Sequence, residues 1–440
     1  MFRRLESFRK AALLPFLAFV FAFFIGGVII ALSDSEVLAN IKSPGKFLTS
    51  FGAKIGNSYL AIFQGSIYDV NLARGESFFK GFYPLSDTVV NATPLILAGL
   101  AVALAFKSGL FNIGAQGQFI FGAIAASYVG FKFEFSPVMH ITLALLAGII
   151  AAGIYGGIVG LLKAKTGAHE VIVTIMLNYI ATFFILWILK TEAFLRPGSI
   201  NPIAPEVKES AQLPLFLGED LRIHFGIFIA LLAAVFVWWL LNKSTLGFKF
   251  RAVGANANAA KTAGISTGFV TFTTMFICGA LAGLGGAVQV LGTNHALSAE
   301  IGSSYGFDAI TVALLGRATV TGTVLAAFLF GALQTSGLNL LSVTGTPFEI
   351  VQVIQALIVL FIAIWFLSCH IFGAHKYFTF KSKFFSSHRK HFSSITCACI
   401  SNDIFFTCVF TNKSVNNCII DFVCSAVCLT YNFCINLRTT

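Results

Sequence analysis

Uncharged apolar runs of about 20 residues constrain this chain more than any other feature, because such a run can cross a bilayer as a helix with every backbone hydrogen bond closed inside it. One runs from Ala11 to Leu32. Others lie at approximately Thr88 to Phe106, Asn112 to Gly130, Val138 to Leu162, Val171 to Leu189, Ile223 to Leu241, Gly268 to Gly292, Ser304 to Gly316, Thr319 to Leu341 and Ile350 to Leu367. The expected fold is all-α, a polytopic transmembrane helical bundle of about ten spans. The eighth run is short for a full crossing, so it is expected to be broken or re-entrant and held against neighbours. A cleaved signal peptide is the other reading of the first run, since Arg3, Arg4, Arg9 and Lys10 precede it, but the run exceeds a usual signal core.

Of 440 residues, 57% are hydrophobic and 11% charged, against roughly 25% charged in a soluble domain. The net charge of +11 comes from 29 Lys and Arg against 18 Asp and Glu. With the N-terminus inside, ten crossings place 12 cations on the cytoplasmic side, among them Lys107, Lys163, Lys243, Arg251 and Arg317, against only Glu6 and Glu170. The other side receives 10 cations and 14 acids, a bias that supports this orientation, with both ends of the membrane domain cytoplasmic. A membrane is the expected location, and no nucleic-acid partner is implied. The loops from Ser33 to Ser86 and from Lys190 to Arg222 then lie outside, and Pro197, Pro202, Pro205 and Pro214 make the second an ordered non-helical connection.

The chain divides into a membrane domain, residues 1–368, and an atypical tail, residues 369–440. Eight of the nine Cys follow Ser368, together with many Phe, Ser and Asn. Cys397-Ala-Cys399 and the pair Cys424 and Cys428 lack convincing paired zinc spacing, so no metal site is expected. Disulfides are not expected in a cytoplasmic tail either. Translation past a frameshift, giving a segment not selected to fold, is the preferred account.

Coupled carriers and pumps place ionisable side chains inside the bilayer, and here Glu170, Lys190, Asp308 and Arg317 sit only at span ends. A phosphate loop is also absent, since Gly45-Lys46 is followed by Phe47. No cofactor or catalytic residue is expected in this chain, and any ATP must be hydrolysed on another. Lys243 to Ser266 carries four cations and no acid. Two readings fit it, a short helix ended by Gly264 on which a partner docks, and an ordinary positive-inside loop. Gly153, Gly156, Gly157 and Gly160, and then Gly279, Gly283 and Gly286, have spacing that lets helices approach closely, and packing is their plainer reading. In GLFNIGAQGQ from Gly109, polar Asn112, Gln116 and Gln118 sit beside helix-loosening glycines. They would line a passage or serve as interhelical hydrogen-bond glue.

Five ordered stretches carry a resemblance: GLFNIGAQGQ, HEVIVTIMLNYIA from His169, TLGFKFRAVGANANAAKTAGI from Thr245, GALAGLGGAVQVLG from Gly279 and YGFDAITVALLGR from Tyr305. Together they resemble bacterial ABC-importer permeases for nucleosides and simple sugars, over roughly Met1 to Leu367. The resemblance implies a transport subunit working with a second related permease, an extracytoplasmic substrate-binding lipoprotein, and an ATPase with two nucleotide-binding modules that holds ATP and Mg. It places ATPase coupling on Arg251, Gly254, Asn256, Ala259, Ala260 and Gly264, with Asn258 where many importers have an acid. It strengthens the pathway reading for Asn112, Gln116, Gln118 and Asn178. Tyr179 and Phe111 are further aromatics able to stack on a base. The loop NPIAPEVKESAQLP favours nucleosides over sugars as the cargo. An ATP-independent channel or facilitator for small polar solutes is the alternative.

Overall fold

The computed structural model describes residues 17, 19–75, 78–216, 218, 221–302, 305–362 and 364. The expected tail, residues 369–440, lies outside the described residues. All the described helices belong to one compact unit, Val20–Val359, apart from the first residue of α1 and the last residues of α15.

In chain order the helices are α1 (Phe19–Leu32), α2 (Ser35–Ala39), α3 (Pro44–Ser66), α4 (Val70–Gly75), α5 (Tyr83–Lys107), α6 (Ala115–Lys132), α7 (Pro137–Thr166) and α8 (Glu170–Ile188). Then come α9 (Gly226–Lys243), α10 (Thr245–Ala255), α11 (Ala257–Thr262), α12 (Thr267–Gln289), α13 (Tyr305–Leu315), α14 (Val320–Thr344) and α15 (Glu349–Ile362). No strand occurs among the described residues, which carry two isolated bridges, Ile203 with Ser298 and Leu215 with His224. The protein is a helical membrane bundle.

Among the described residues, six helices are long and apolar enough to cross a membrane, or seven if Phe19–Leu32 and Ser35–Lys42, bent by 67°, form one span. The about-ten expectation thus reaches six or seven on length and hydropathy. Helices α6, α13 and α15 occupy the other three expected segments without belonging to that set.

The bundle centre is α5 with α12, whose most apolar stretches are 83% and 78% buried, whereas that of α8 is only 22% buried. On α8 the side chains of Ile172, Met176, Tyr179, Phe183 and Trp187 point outward, an apolar surface too large for water and suited to lipid. The glycine stretches are packing seams. A Cβ on Gly156 would lie 2.5 Å from the Met275 carbonyl oxygen, and one on Gly160 would lie 2.7 Å from the Phe272 Cα. One on Gly283 would collide with the Ala152 Cβ, and one on Gly286 with the Phe119 carbonyl oxygen. Bare backbone therefore lets α7 and α6 close on α12 from two sides.

The first of the two long connections departs from expectation, being largely helical. Helix α3 buries Ser58, Ala61, Ile62 and Gly65, the three-and-four spacing of one helix face. That face meets α14, where Asn339 Nδ2 donates to the Ala61 carbonyl at 2.7 Å and Lys54 Nζ donates to the Thr344 carbonyl at 2.6 Å. Lys54 also pairs with Asp34, which caps α2. The described residues of the second connection, between α8 and α9, are non-helical except for a short 3₁₀ turn at Glu209–Ala211, as its prolines require.

Candidate functional site

The return after α12 borders a polar cavity. Helix α12 continues through a π-type stretch, Val290–Asn294, and stops at His295 with φ 53°, in the left-handed region. There Val207 N donates to the His295 carbonyl at 2.8 Å and Ala204 N donates to the Leu297 carbonyl at 2.9 Å. Val207 abuts Gly130 near the end of α6, whereas Gly302 and Gly306 abut Ile120 and Gln116 near its start. Ile120 and Gly130, ten steps apart on α6, are separated by a rise of about 15 Å. No helix occurs among the described residues from His295 to Gly302, and α13 is described from Tyr305. The eighth apolar run, expected to be broken or re-entrant, is the short helix α13.

Backbone released from a helix at such depth must be buried in protein or face a cavity. Both occur: Leu297 and Ile301 are buried, and beside them opens a cavity of about 760 Å³, within the usual range of roughly 300–1,000 Å³ for small-molecule sites. Its aromatic walls are Tyr305, Phe307, Phe330 and Phe348, and its polar walls include Gln289, Glu300, Asp308, Gln334 and Gln355. Asp308 accepts from Gln334 Nε2 at 2.8 Å. Gln289 Nε2 donates to Asn294 Oδ1 at 3.0 Å and to the Tyr305 hydroxyl at 3.4 Å. Two buried amide atoms on this wall, Gln289 Oε1 and Gln355 Nε2, have no hydrogen-bond partner, a condition that costs about 1–3 kcal/mol each.

None of the four pathway candidates lines this cavity. Asn112 and Gln118 are paired amide to amide, with Nδ2 to Oε1 at 2.9 Å and Nε2 to Oδ1 at 3.2 Å. Asn178 accepts from Gly117 N at 2.9 Å and donates to the Ile113 carbonyl at 2.9 Å, which ties α8 to the start of α6. Gln116 Oε1 accepts from Gly306 N at 2.9 Å and so holds the start of α13. All four are buried and bonded to protein. Phe111 packs at a tilt against Phe106 with ring centroids 4.9 Å apart, and Tyr179 faces outward; neither lines the cavity. The residues that do line it escaped the sequence reading because they are scattered over five helices. Their one shared signal was the shortness of the eighth apolar run.

The Lys243–Ser266 segment forms two short helices where one was expected. Ser244 Oγ caps α10 by accepting from Gly247 N at 2.9 Å, and Asn256 Oδ1 caps α11 by accepting from Asn258 N and Ala259 N at 3.0 and 3.1 Å. Gly264, at φ 80°, ends the second helix in a conformation costly for other residues. Of the six proposed coupling residues, Ala260 is buried and Gly254 half-buried, while Arg251, Asn256, Ala259 and Gly264 are exposed. Gly254 meets Lys107, Ser108 and Gly109 backbone to backbone, with no room for a Cβ. Helix α10 therefore rests on the turn that leads into α6.

Residues 85–363, which span α5 through α15, match the family model for the branched-chain amino acid transport system permease component. The chain belongs to this family. This permease is 42% identical over 320 residues to the guanosine ABC transporter permease protein NupP of Bacillus subtilis, covering 71% of the present chain and 86% of that relative. It is 36% identical over 292 residues to the nucleoside ABC transporter permease protein NupB of Lactococcus lactis, covering 64% and 80%. Over a further 292 residues shared with the glucose ABC transporter permease protein TsgB13 of Haloferax volcanii the identity is 34%, covering 64% and 76%. No solved structure matches the permease. As a permease component it is a transport subunit of the ABC-importer type and not an enzyme.

Proposed function

We propose that this permease imports nucleosides across a bacterial cell membrane, driven by ATP hydrolysed on a partner ATPase with two nucleotide-binding modules that holds ATP and Mg. The observation that carries the reading is 42% identity to a guanosine permease over 86% of that relative's length. A second related permease and an extracytoplasmic substrate-binding lipoprotein complete the assembly. The chain crosses about ten times, counting α6, α13 and α15 as short or broken spans, with both ends of the domain 1–368 in the cytoplasm, and the tail 369–440 takes no part.

The coupling route follows contacts. A movement of the ATPase reaches the exposed Arg251, Asn256, Ala259 and Gly264 and is carried through buried Ala260 and through Gly254, which touches the turn at Gly109. That turn begins α6, where the Asn112–Gln118 pair and Asn178 keep the backbone rigid and Gln116 grips Gly306 at the head of α13. Displacing α13 then reshapes the cavity wall at Tyr305 and Asp308. Solute affinity differs between the two arrangements, which is what alternating access needs.

The test is uptake of labelled guanosine, uridine and ribose by a deletion strain carrying the complete transporter. Concentrative nucleoside uptake that stops when ATP is depleted is expected. Flux that persists without ATP, or uptake confined to ribose, overturns the reading.

A further inference from the structure

The cavity beside α13 contains a feature that ATP coupling alone does not require. Gln289 and Gln355 are 5% and 6% exposed, and both line it. One amide atom of each, Gln289 Oε1 and Gln355 Nε2, is buried without a partner, although buried polar atoms are ordinarily paired. The Gln289 amide is oriented by its own contacts, because its Nε2 is engaged by Asn294 and the Tyr305 hydroxyl, leaving the oxygen as the unused end. Tyr305 is fixed in turn, stacked on Phe119 with centroids 5.4 Å apart and an interplanar angle of 20°. An unused acceptor and an unused donor thus belong to side chains that line a space bounded by aromatic rings.

We infer that Gln289 and Gln355 form a recognition subsite for the hydrogen-bonding edge of a nucleobase, so that the permease itself discriminates among the solutes delivered to it. The inference rests on the nucleoside reading above. Every nucleobase presents donors and acceptors side by side along one edge of a flat ring, which matches an unused amide oxygen and an unused amide nitrogen among aromatic walls. A free pentose offers hydroxyls but no aromatic face, and so uses only half of this lining. A site built to hydrogen-bond a solute rejects analogues that leave its groups unpaired, so the two amides supply specificity as well as binding. Their unmet hydrogen bonds are completed when a base enters.

The test compares uptake of labelled guanosine, adenosine and uridine by cells carrying the whole transporter with wild-type permease, Gln289→Met or Gln355→Met. Methionine keeps the length and bulk of glutamine and removes both polar atoms. Uptake at limiting nucleoside is expected to fall on the order of tenfold, with unequal losses among the three bases and with unchanged ATPase co-purification. If a methionine variant is absent from the membrane, Gln289→Glu and Gln355→Glu are read instead by the ratio of guanosine to adenosine uptake, which does not depend on the amount of protein. A ratio shifted severalfold supports the subsite. Wild-type rates and an unchanged ratio in all the variants overturn it while nucleoside import stands, and no nucleoside uptake by the wild-type transporter overturns the import reading itself.

Discussion

Ala259 and Ala260 are sequence neighbours with opposite surroundings, one exposed and the other 4% exposed. Successive residues on a helix point about 100° apart, so a motif containing both cannot tell which faces a partner and which faces the bundle. Their variants should separate. Ala259→Trp is expected to leave the permease as stable as wild type while reducing ATPase co-purification and uptake together. Ala260→Leu overfills a packed site and should cost about 1–3 kcal/mol, lowering the thermal unfolding midpoint of the detergent-solubilised protein. The reverse pattern would remove α11 from the coupling route. Asn112, Gln116, Gln118 and Asn178 were visible as polar residues in apolar text, but their partners were not. The bond from Gly306 N to Gln116 Oε1 joins positions 190 apart in the chain, beyond the reach of any local pattern.

At the scale of elements, the α7–α12 seam was legible because small residues at helical spacing announce a close approach. Gly283→Leu should be incompatible with the Ala152 contact, so little of this variant is expected to elute as a single folded species in size-exclusion chromatography, whereas Gly45→Leu, at an open position, should elute like wild type. The entry to α9 is held by His224, which was not anticipated. Its Nδ1 accepts from Gly226 N at 3.1 Å and its Nε2 faces Thr293 Oγ1 at 3.3 Å, with the ring wedged beside Gly226 and Gly292. Burial first, then the nearby His295 and Arg222, push its pKa from 6.5 down to about 4. Since the unfolded chain takes up this proton more readily than the folded one, stability is fully present above pH 6.5 and is lost as pH falls toward 4, by about 3 kcal/mol at most. Thermal melts between pH 7.5 and pH 4.5 should show the loss, and His224→Gln should flatten it. Helix α3 escaped notice because Lys46 and Lys54 disqualify it as a span, while its buried face is polar and small as often as it is apolar.

For the whole molecule, the family match ends at residue 363, close to the boundary expected at Ser368 from the change in composition. A chain ending at Ser368 should reach the membrane, retain the ATPase and import nucleosides at wild-type rate. A drop in uptake with normal membrane levels would give the tail a function and count against a frameshift origin. The span count belongs to this scale as well. Hydropathy supports six or seven crossings, and the remaining three segments are short or carry the polar groups that build the centre of the protein. Cysteine accessibility scanning of the α6–α7, α12–α13 and α14–α15 connections, with a membrane-impermeant thiol reagent, is expected to label all three from outside.

The sequence by itself determined the membrane class, the helical fold and the permease family. Each of these rests on runs of composition or short motifs, which are local properties of the chain. Tertiary structure alone decided which polar groups hold the frame and which face the cavity. Core and lipid are both apolar, so the inner and outer faces of a membrane helix differ little in residue type, and periodicity does not reveal which side is buried. Gln118 and Gln289 are the same residue in similarly apolar surroundings. One is paired with Asn112 and the other lines a cavity with its oxygen unbonded, a difference set only by what the folded chain brings beside each.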